Sequence, residues 1–426
     1  MSTTELTLEQ IKSKRILYLV FATLTLLVLG LIYAWSIFAA PIGKTFTDYG
    51  PMLPQVFQVS MFAFCLSALV GAQIVKRISA KAAIILAAVL MAVGFTCTSL
   101  FAGIGIWALF LFYGIFAGSG CGIAYNAIIS LVNPWFPDRI GLASGIMMMG
   151  FGISSLVFGS LANALFGVMD WTIVFMMIAT MAFAIMLLLA FIVKPAPKDI
   201  GAKLGVNPAA AGVGQSPTQQ TFILKTKAFW VFWVWATFIV ACGLTLIGTS
   251  AQGAATLGLD DAYFAGFGAL LVGLVSTMNG ISRIFNGALF DKIGLVPVMM
   301  VSCLVCFLCT LGLSFSLGMG IGLLYVVSAI FIALPYGSAP VLSAGFIRQR
   351  YGASSFAINL GIINLCIAIA ATINIVIGTF LGSPAGENGP VIYALLAGMT
   401  IVAFLGTLVF SRIYKADLAA IAKELE

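Results

Sequence analysis

Ser276, Asn279, Arg283 and Asn286 follow one another at intervals of three and four residues, a spacing that lines them along one side of a helix. The residues between them are mostly apolar, so the four form a polar stripe on a hydrophobic rod, with a guanidinium in its middle. A charge at the centre of a membrane-crossing helix costs about 2.5 to 3.5 kcal/mol on insertion scales, and such residues usually face a cavity or a partner. No other apolar run carries a carboxylate at its centre to pair with this one. A buried cation without an acid implies that the missing anion is the ligand, with the planar fork of the arginine as a bidentate clamp on a carboxylate.

A few other residues put polar groups into apolar surroundings. Tyr33 lies past the middle of its run, where anchoring at an interface and lining a site are both open readings. Tyr125 stands near the end of its run beside Asn126. Pro335 interrupts another run just ahead of Tyr336, and freed backbone groups at that depth are tolerated where they are buried in protein or line a cavity. Asn364, Thr245, Thr249 and Gln252 either line the same cavity or bond neighbouring helices. The candidate site is therefore Arg283 as clamp and Asn279 to orient it, with Tyr336, Tyr125, Tyr33 and Asn364 as further contacts.

The elements that must position these groups are membrane spans. Of the 426 residues, 62% are hydrophobic and only 8% charged, which excludes a soluble globular protein. Runs long enough to cross about 30 Å of hydrocarbon begin near Ile16, Met52, Ala82, Ile106, Leu142, Thr172, Ala228, Tyr263, Val296, Gly320, Ser354 and Val391. The first continues to about Ala40, longer than the roughly 7 to 15 residues of a signal-peptide core, so an uncleaved span is expected. One long polar segment, with Pro195, Pro197, Pro208 and Pro217, reads as a linker. It divides the chain into a six-span half at 1–193, the linker at 194–227 and a second six-span half at 228–426. The expected fold class is an all-α membrane protein of twelve transmembrane helices, with the bilayer as its surroundings.

Charge sets the expected orientation. All Lys and Arg except Lys44 and Arg283 fall on one side of such a map, while Asp48, Asp170, Asp260, Asp261 and Glu387 fall on the other. The positive-inside rule then puts both termini in the cytoplasm. It also accounts for the formal charge of +7 without a nucleic-acid partner. The chain has no histidine, so imidazole metal sites, Ser-His-Asp triads and histidine proton relays are excluded. The Cys303, Cys306, Cys309 series lies in an apolar run and reads as small core residues rather than cluster ligands. No enzyme chemistry, metal or cofactor is expected. Gly114, Gly118 and Gly122, and then Gly141, Gly145, Gly150 and Gly152, have the small-residue spacing that lets helices approach closely.

An internal echo relates the halves: Lys76-Arg77-Ile78-Ser79 after the second run corresponds to Asp291-Lys292-Ile293-Gly294 after the eighth. Two halves related by an axis along the membrane normal, with a site between them at the midplane, is the arrangement such a repeat implies. Gly287-Ala-Leu-Phe-Asp-Lys-Ile-Gly294 has the loop pattern of the major facilitator superfamily. Tyr33-Ala-Trp-Ser-Ile-Phe38 with Pro41, Trp135-Phe-Pro-Asp-Arg139 with Gly141-Leu-Ala-Ser-Gly145, Phe229-Trp-Val-Phe-Trp233, and Arg283 ahead of Asp291 together resemble the oxalate/formate antiporter family. That family belongs to the same superfamily and is close to the monocarboxylate transporters.

The resemblance implies a twelve-helix carrier of small carboxylates working by alternating access, with Arg283 matching the substrate-binding arginine of helix eight. Two positions differ. The oxalate exchangers carry a lysine in helix eleven where this chain has Ile363 or Asn364. Related monocarboxylate carriers often have an aspartate four residues before the arginine, where this chain has Asn279. With a single cation, the expected cargo is a monocarboxylate such as lactate, pyruvate, acetate or formate. An oxalate/formate or other dicarboxylate antiporter is the alternative, and a channel or sensor the reading from another class. A co-transported proton or counter-anion, a monomeric carrier and a multi-pass location in the cell (inner or plasma) membrane complete the expectation.

Overall fold

A computed structural model describes residues 7–425 except 139, 198, 206–222, 264 and 352–355. Regular structure among the described residues is helical throughout. Among the described residues, twelve helices are long and apolar enough to cross a membrane: α1 (Leu8–Thr45), α2 (Thr47–Arg77), α3 (Ala80–Ile104), α4 (Ile106–Trp135), α5 (Ala143–Phe166), α6 (Trp171–Ile192), α7 (Lys227–Thr256), α8 (Phe267–Phe290), α9 (Leu295–Met319), α10 (Gly322–Ile347), α11 (Asn359–Leu381) and α12 (Gly389–Asp417). The chain is thus a multi-pass, all-α membrane protein, as its hydropathy runs predict. Pro208 and Pro217 of the expected linker, Arg139 and the Ser354 start of the eleventh run lie outside the described residues. An even number of crossings brings both chain ends to one face, called here the terminal face, and the opposite one is the far face.

Boundaries depart from the sequence reading where local chemistry intervenes. α1 begins at Leu8 rather than near Ile16, because Thr7 and Gln10 form a reciprocal capping box, with bonds of 3.1 and 3.3 Å, at its amino end. α8 begins at Phe267 rather than near Tyr263. A short helix at Leu259–Ala262 precedes it, and the Asp260 carboxylate accepts the Gly268 amide at 2.8 Å, an acid placed against the positive end of the span. In α10 the helix is interrupted at Ile332, between Gly322–Phe331 and Ala333–Tyr351. That is ahead of Pro335 and not at it, because a proline takes the bond away from the carbonyl four residues back. In the two related loops, Ser79 is extended and caps the Ala82 amide at 3.1 Å, while Gly294 has φ of 83°, a value that favours glycine.

The first and last helices of each set of six are fastened on the terminal face by corresponding loops. Between α4 and α5, Asp138 pairs with Arg15 of α1, and the Trp135 indole donates to the Lys194 carbonyl at 2.8 Å just beyond α6. Tyr18 meets the Trp135 ring edge-on, centroids 4.9 Å apart. After α10, Arg350 Nε bonds Asp417 of α12 at 3.0 Å, and the Tyr351 hydroxyl bonds Thr226 at the start of α7. The Trp-Phe-Pro-Asp block therefore works as a brace remote from Arg283.

Contacts between α1–α6 and α7–α12 run chiefly through α2 with α11, α5 with α8, and α1 with α7. The α5–α8 crossing depends on missing side chains. A methyl group on Gly152 would stand 2.9 Å from the Gly280 Cα, and one on Gly273 would stand 2.6 Å from the Leu156 Cα. In α4, Gly114, Gly118 and Gly122 similarly receive Val59, Ser60 and Phe64 of α2, whereas Gly145 has open space around it. Gly152→Ala should accordingly destabilise the detergent-solubilised protein by about 1 to 3 kcal/mol, the usual cost of overpacking, and lower its thermal midpoint. Gly145→Ala should not lower the midpoint and should raise it slightly, since nothing stands where its methyl would go and alanine favours the helix over glycine.

Candidate functional site

The polar stripe on α8 divides between two neighbours. Gly280 and the Ser276 carbonyl face Gly152 of α5, whereas Asn279, Ser282 and Asn286 face α10. The Asn286 amide donates to the Ser282 carbonyl at 2.8 Å and to the Leu334 carbonyl at 3.0 Å. Asn279 is fully buried. It forms no hydrogen bond to Arg283 and lies against Gly337, where an added methyl would come 2.8 Å from its carbonyl oxygen and 3.0 Å from Oδ1. Asn279 thus packs against α10. It does so because Gly337 lets α10 approach on that side.

Arg283 itself lies between those two sides. Its Nε and Nη1 are buried with no hydrogen-bond partner, as are both amide atoms of Asn279 and the hydroxyls of Ser276 and Thr277. The ion pairs among the described residues are Arg15–Asp138, Lys203–Asp199 and Arg350–Asp417, so Arg283 has no carboxylate. Its electrostatic neighbours are Tyr125, Tyr33 and Tyr336. All three sequence-predicted tyrosines thus converge on the arginine from α4, α1 and α10. Asn364 is half-buried in α11, and no hydrogen bond joins it to this cluster.

Local irregularity positions the tyrosines. Tyr33 sits in a 3-10 segment, Gly30–Ala34, within α1. That segment packs on α5 where α5 loosens into a π-helical turn at Ser155–Gly159. Tyr33 and Tyr336 join hydroxyl to hydroxyl at 3.1 Å. Around them stands an aromatic wall that sequence reasoning missed. Phe151 is edge-on to Tyr33 at 5.2 Å and to Tyr125 at 5.3 Å, Phe64 meets Tyr125 at 5.6 Å, and Phe57 lies 6.2 Å from Tyr33. The seven-residue interval from Phe57 to Phe64 puts both on one face of α2 and was a legible signal. The membership of Phe151 had none. The wall belongs to α1–α6 and the cation to α7–α12.

At ~1.5 Å per residue, Arg283 lies about 10 Å from the end of α8 at Phe290, Tyr125 about 15 Å from the end of α4 at Trp135, and Tyr336 about 16 Å from the end of α10 at Ile347. The tyrosine pair is therefore nearer the far face than the arginine. Farther out, Gln58 Nε2 donates to the Leu244 carbonyl at 3.3 Å, and Asn374 Nδ2 donates to Gln58 Oε1 at 3.3 Å and to the Ala241 carbonyl at 3.0 Å. The Phe57 ring enters a notch at Gly248 of α7, where a methyl would stand 2.7 Å from ring carbon Cδ1. A cavity of about 20 Å³, bounded in part by Gln55, Gln58 and Asn374, has room there for about one water. Thr245 and Thr249 border it too, and their hydroxyls donate to carbonyls of their own helix, Ala241 and Thr245.

A partly buried charge with two open donors destabilises the ligand-free protein, because the neighbouring phenols offset only part of its desolvation cost. Replacing it by a side chain of similar bulk should remove that penalty. Arg283→Leu should raise the thermal midpoint of the ligand-free protein by the equivalent of about 1 to 3 kcal/mol. A lowered midpoint would mean that the arginine has structural partners of its own.

A family model described as Major Facilitator Superfamily matches residues 17–373. The oxalate:formate antiporter of Oxalobacter formigenes is 28% identical over 285 residues, covering 67% of this chain and 65% of that protein, so the match spans just under two thirds of the relative's length. Monocarboxylate transporter 9 of Gallus gallus is 37% identical over 60 residues, 14% of this chain and 12% of that one. Among solved structures, that of a D-xylose-proton symporter superposes with a TM-score of 0.70 at 14% identity, covering 92% of this chain and 97% of the other. These relatives are transporters rather than enzymes. With its family match extending from α1 into α11, the chain belongs to the Major Facilitator Superfamily.

Proposed function

We propose that the protein is a secondary transporter of small carboxylate anions, chiefly monocarboxylates such as lactate, pyruvate, acetate or formate. The observation that carries this reading is the half-buried Arg283 guanidinium, without a carboxylate among the described residues and with Nε and Nη1 buried and unpartnered. A carboxylate would take those donors as a fork-to-fork pair. The hydroxyls of Tyr33, Tyr125 and Tyr336 can donate to its remaining lone pairs, and Phe151 and Phe64 offer an apolar surface for a short tail. A second carboxylate would meet no cation there and would carry a desolvation cost of several kcal/mol, so monoanions are favoured.

The same geometry supports alternating access between two six-helix halves, 1–193 and 228–426, joined by the linker at 194–227. The halves are bonded to each other beyond Arg283 toward the far face, while on the terminal face the named ion pairs stay within one half. With both termini cytoplasmic, this is an inward-facing arrangement in the cell membrane, and outward opening requires the Tyr33–Tyr336 and Gln58–Asn374 bonds to part. The carrier works as a monomer on this reading. No histidine exists, and no carboxylate lies at the centre of a span, so a coupled proton would travel on the substrate or through the arginine site; otherwise a counter-anion is exchanged. A second reading, oxalate/formate or other dicarboxylate antiport, is favoured by the Oxalobacter relative.

Counterflow in proteoliposomes tests the class, since preloaded unlabelled substrate accelerates labelled uptake through a carrier and not through a channel or a sensor. Arg283→Lys retains the charge but loses the fork. Uptake should drop at least about tenfold, equivalent to ~1.4 kcal/mol, with membrane insertion unchanged; near-parental uptake would remove the clamp. Labelled formate or lactate challenged at neutral pH should be displaced better by acetate than by oxalate or malonate. Asn364→Lys should shift that preference toward dicarboxylates by supplying a second cation in α11. Oxalate outcompeting every monocarboxylate in the parent would instead establish the second reading.

A further inference from the structure

Tyr336 is held from two directions by residues that have no side chain. On α7, a methyl group at Gly243 would overlap the Tyr336 ring and stand 2.7 Å from its Cβ. One residue along α10, a methyl at Gly337 would overlap Ser282 Oγ and stand 2.8 Å from the Asn279 carbonyl oxygen on α8. The helical interruption at Ile332 separates this stretch from the first part of α10, so these local contacts fix where Tyr336 stands. Pro340 adds to this, since it leaves the Tyr336 carbonyl without its usual helical donor.

We infer that Gly243 and Gly337 are specificity-determining positioning residues that set the width of the site by fixing how far Tyr336 projects toward Tyr33 and Arg283, and so limit substrates to short tails. This rests on the carboxylate reading above. Tyr336 faces Tyr33 across the halves, hydroxyls 3.1 Å apart, with Arg283 as a shared neighbour. A group added at Gly243 strikes both the ring and its Cβ, so rotation of the side chain does not relieve it and the backbone must move. Retreat toward α8 is blocked at Gly337. The remaining displacement carries the phenol away from α7 into the space a substrate tail would fill.

Gly253 supplies the control. It receives another tyrosine of α10 in the same manner, with an added methyl 2.6 Å from Cζ of Tyr325, but Tyr325 lies eleven residues before Tyr336, about 16 Å along the helix. Counterflow of labelled formate and labelled lactate would be measured for the parent, Gly243→Ala and Gly253→Ala, normalised to inserted protein. Gly243→Ala should lower lactate transport relative to formate by about tenfold, the discrimination that one or two carbon groups produce in a tight site. Gly253→Ala should leave that ratio at the parental value. Tyr336→Leu should move the ratio in lactate's favour, and it decides the matter if Gly243→Ala does not insert. An unchanged ratio in Gly243→Ala, equal shifts in both glycine variants, or no gain for lactate in Tyr336→Leu would overturn the inference while leaving the carboxylate reading intact. Absence of any carboxylate counterflow in the parent would overturn both.

Discussion

A guanidinium held half-buried between helices, with no counter-charge among the described residues, is the constraint on which the rest of the site depends. In water its hydrogen bonds would cost nothing to keep; inside the bundle Nε and Nη1 have no partner. An unsatisfied buried donor on a charged group is among the most expensive features a protein can retain. Its surroundings moderate that cost without cancelling it. Three phenols contribute oxygen dipoles, and π-faces of the neighbouring rings are weakly attractive to cations. No acid closes the charge, which is the property a site needs if an anion is to bind, be carried and be released.

The packing around the arginine is built from glycine as much as from side chains. α5 and α8 cross at Gly152 and Gly280, α7 receives Tyr336 at Gly243 and Phe57 at Gly248, and α10 approaches α8 at Gly337. Lipid tails are as apolar as leucine, so spans associate through close contact rather than through a hydrophobic driving force. Contacts without intervening side chains can also slide or separate with few interactions to break. The terminal-face braces behave differently: Arg15–Asp138, Trp135–Lys194, Arg350–Asp417 and Tyr351–Thr226 bind each group of six to itself with ion pairs and hydrogen bonds. The ties within each group of six are thus ion pairs and hydrogen bonds, and those between the groups run largely through glycine contacts.

Much of this was legible in the sequence for physical reasons. A bilayer requires long apolar helices, so the twelve spans can be counted directly, and an arginine inside one of them stands out against its cost. Tyr33, Tyr125 and Tyr336 were recognisable as polar groups at depth. The direction each helix face takes was not. Asn279 and Arg283 share a stripe by spacing, yet only the packing shows that Asn279 turns to Gly337. Nor did the sequence distinguish the glycines of α5, since Gly152 is jammed and Gly145 is open. Phe151 was invisible because an aromatic residue in a membrane helix is ordinary until its neighbours are known.

Direct binding tests the central claim most closely, because it separates recognition from the motions of transport. Equilibrium binding of a labelled monocarboxylate to the purified protein in detergent would be compared with binding to Arg283→Leu at matched protein concentration. Saturable binding near one molecule per chain in the parent, abolished in Arg283→Leu, is the expected result. Equal affinity in the two proteins would contradict the account, since the anion would then be held without the arginine.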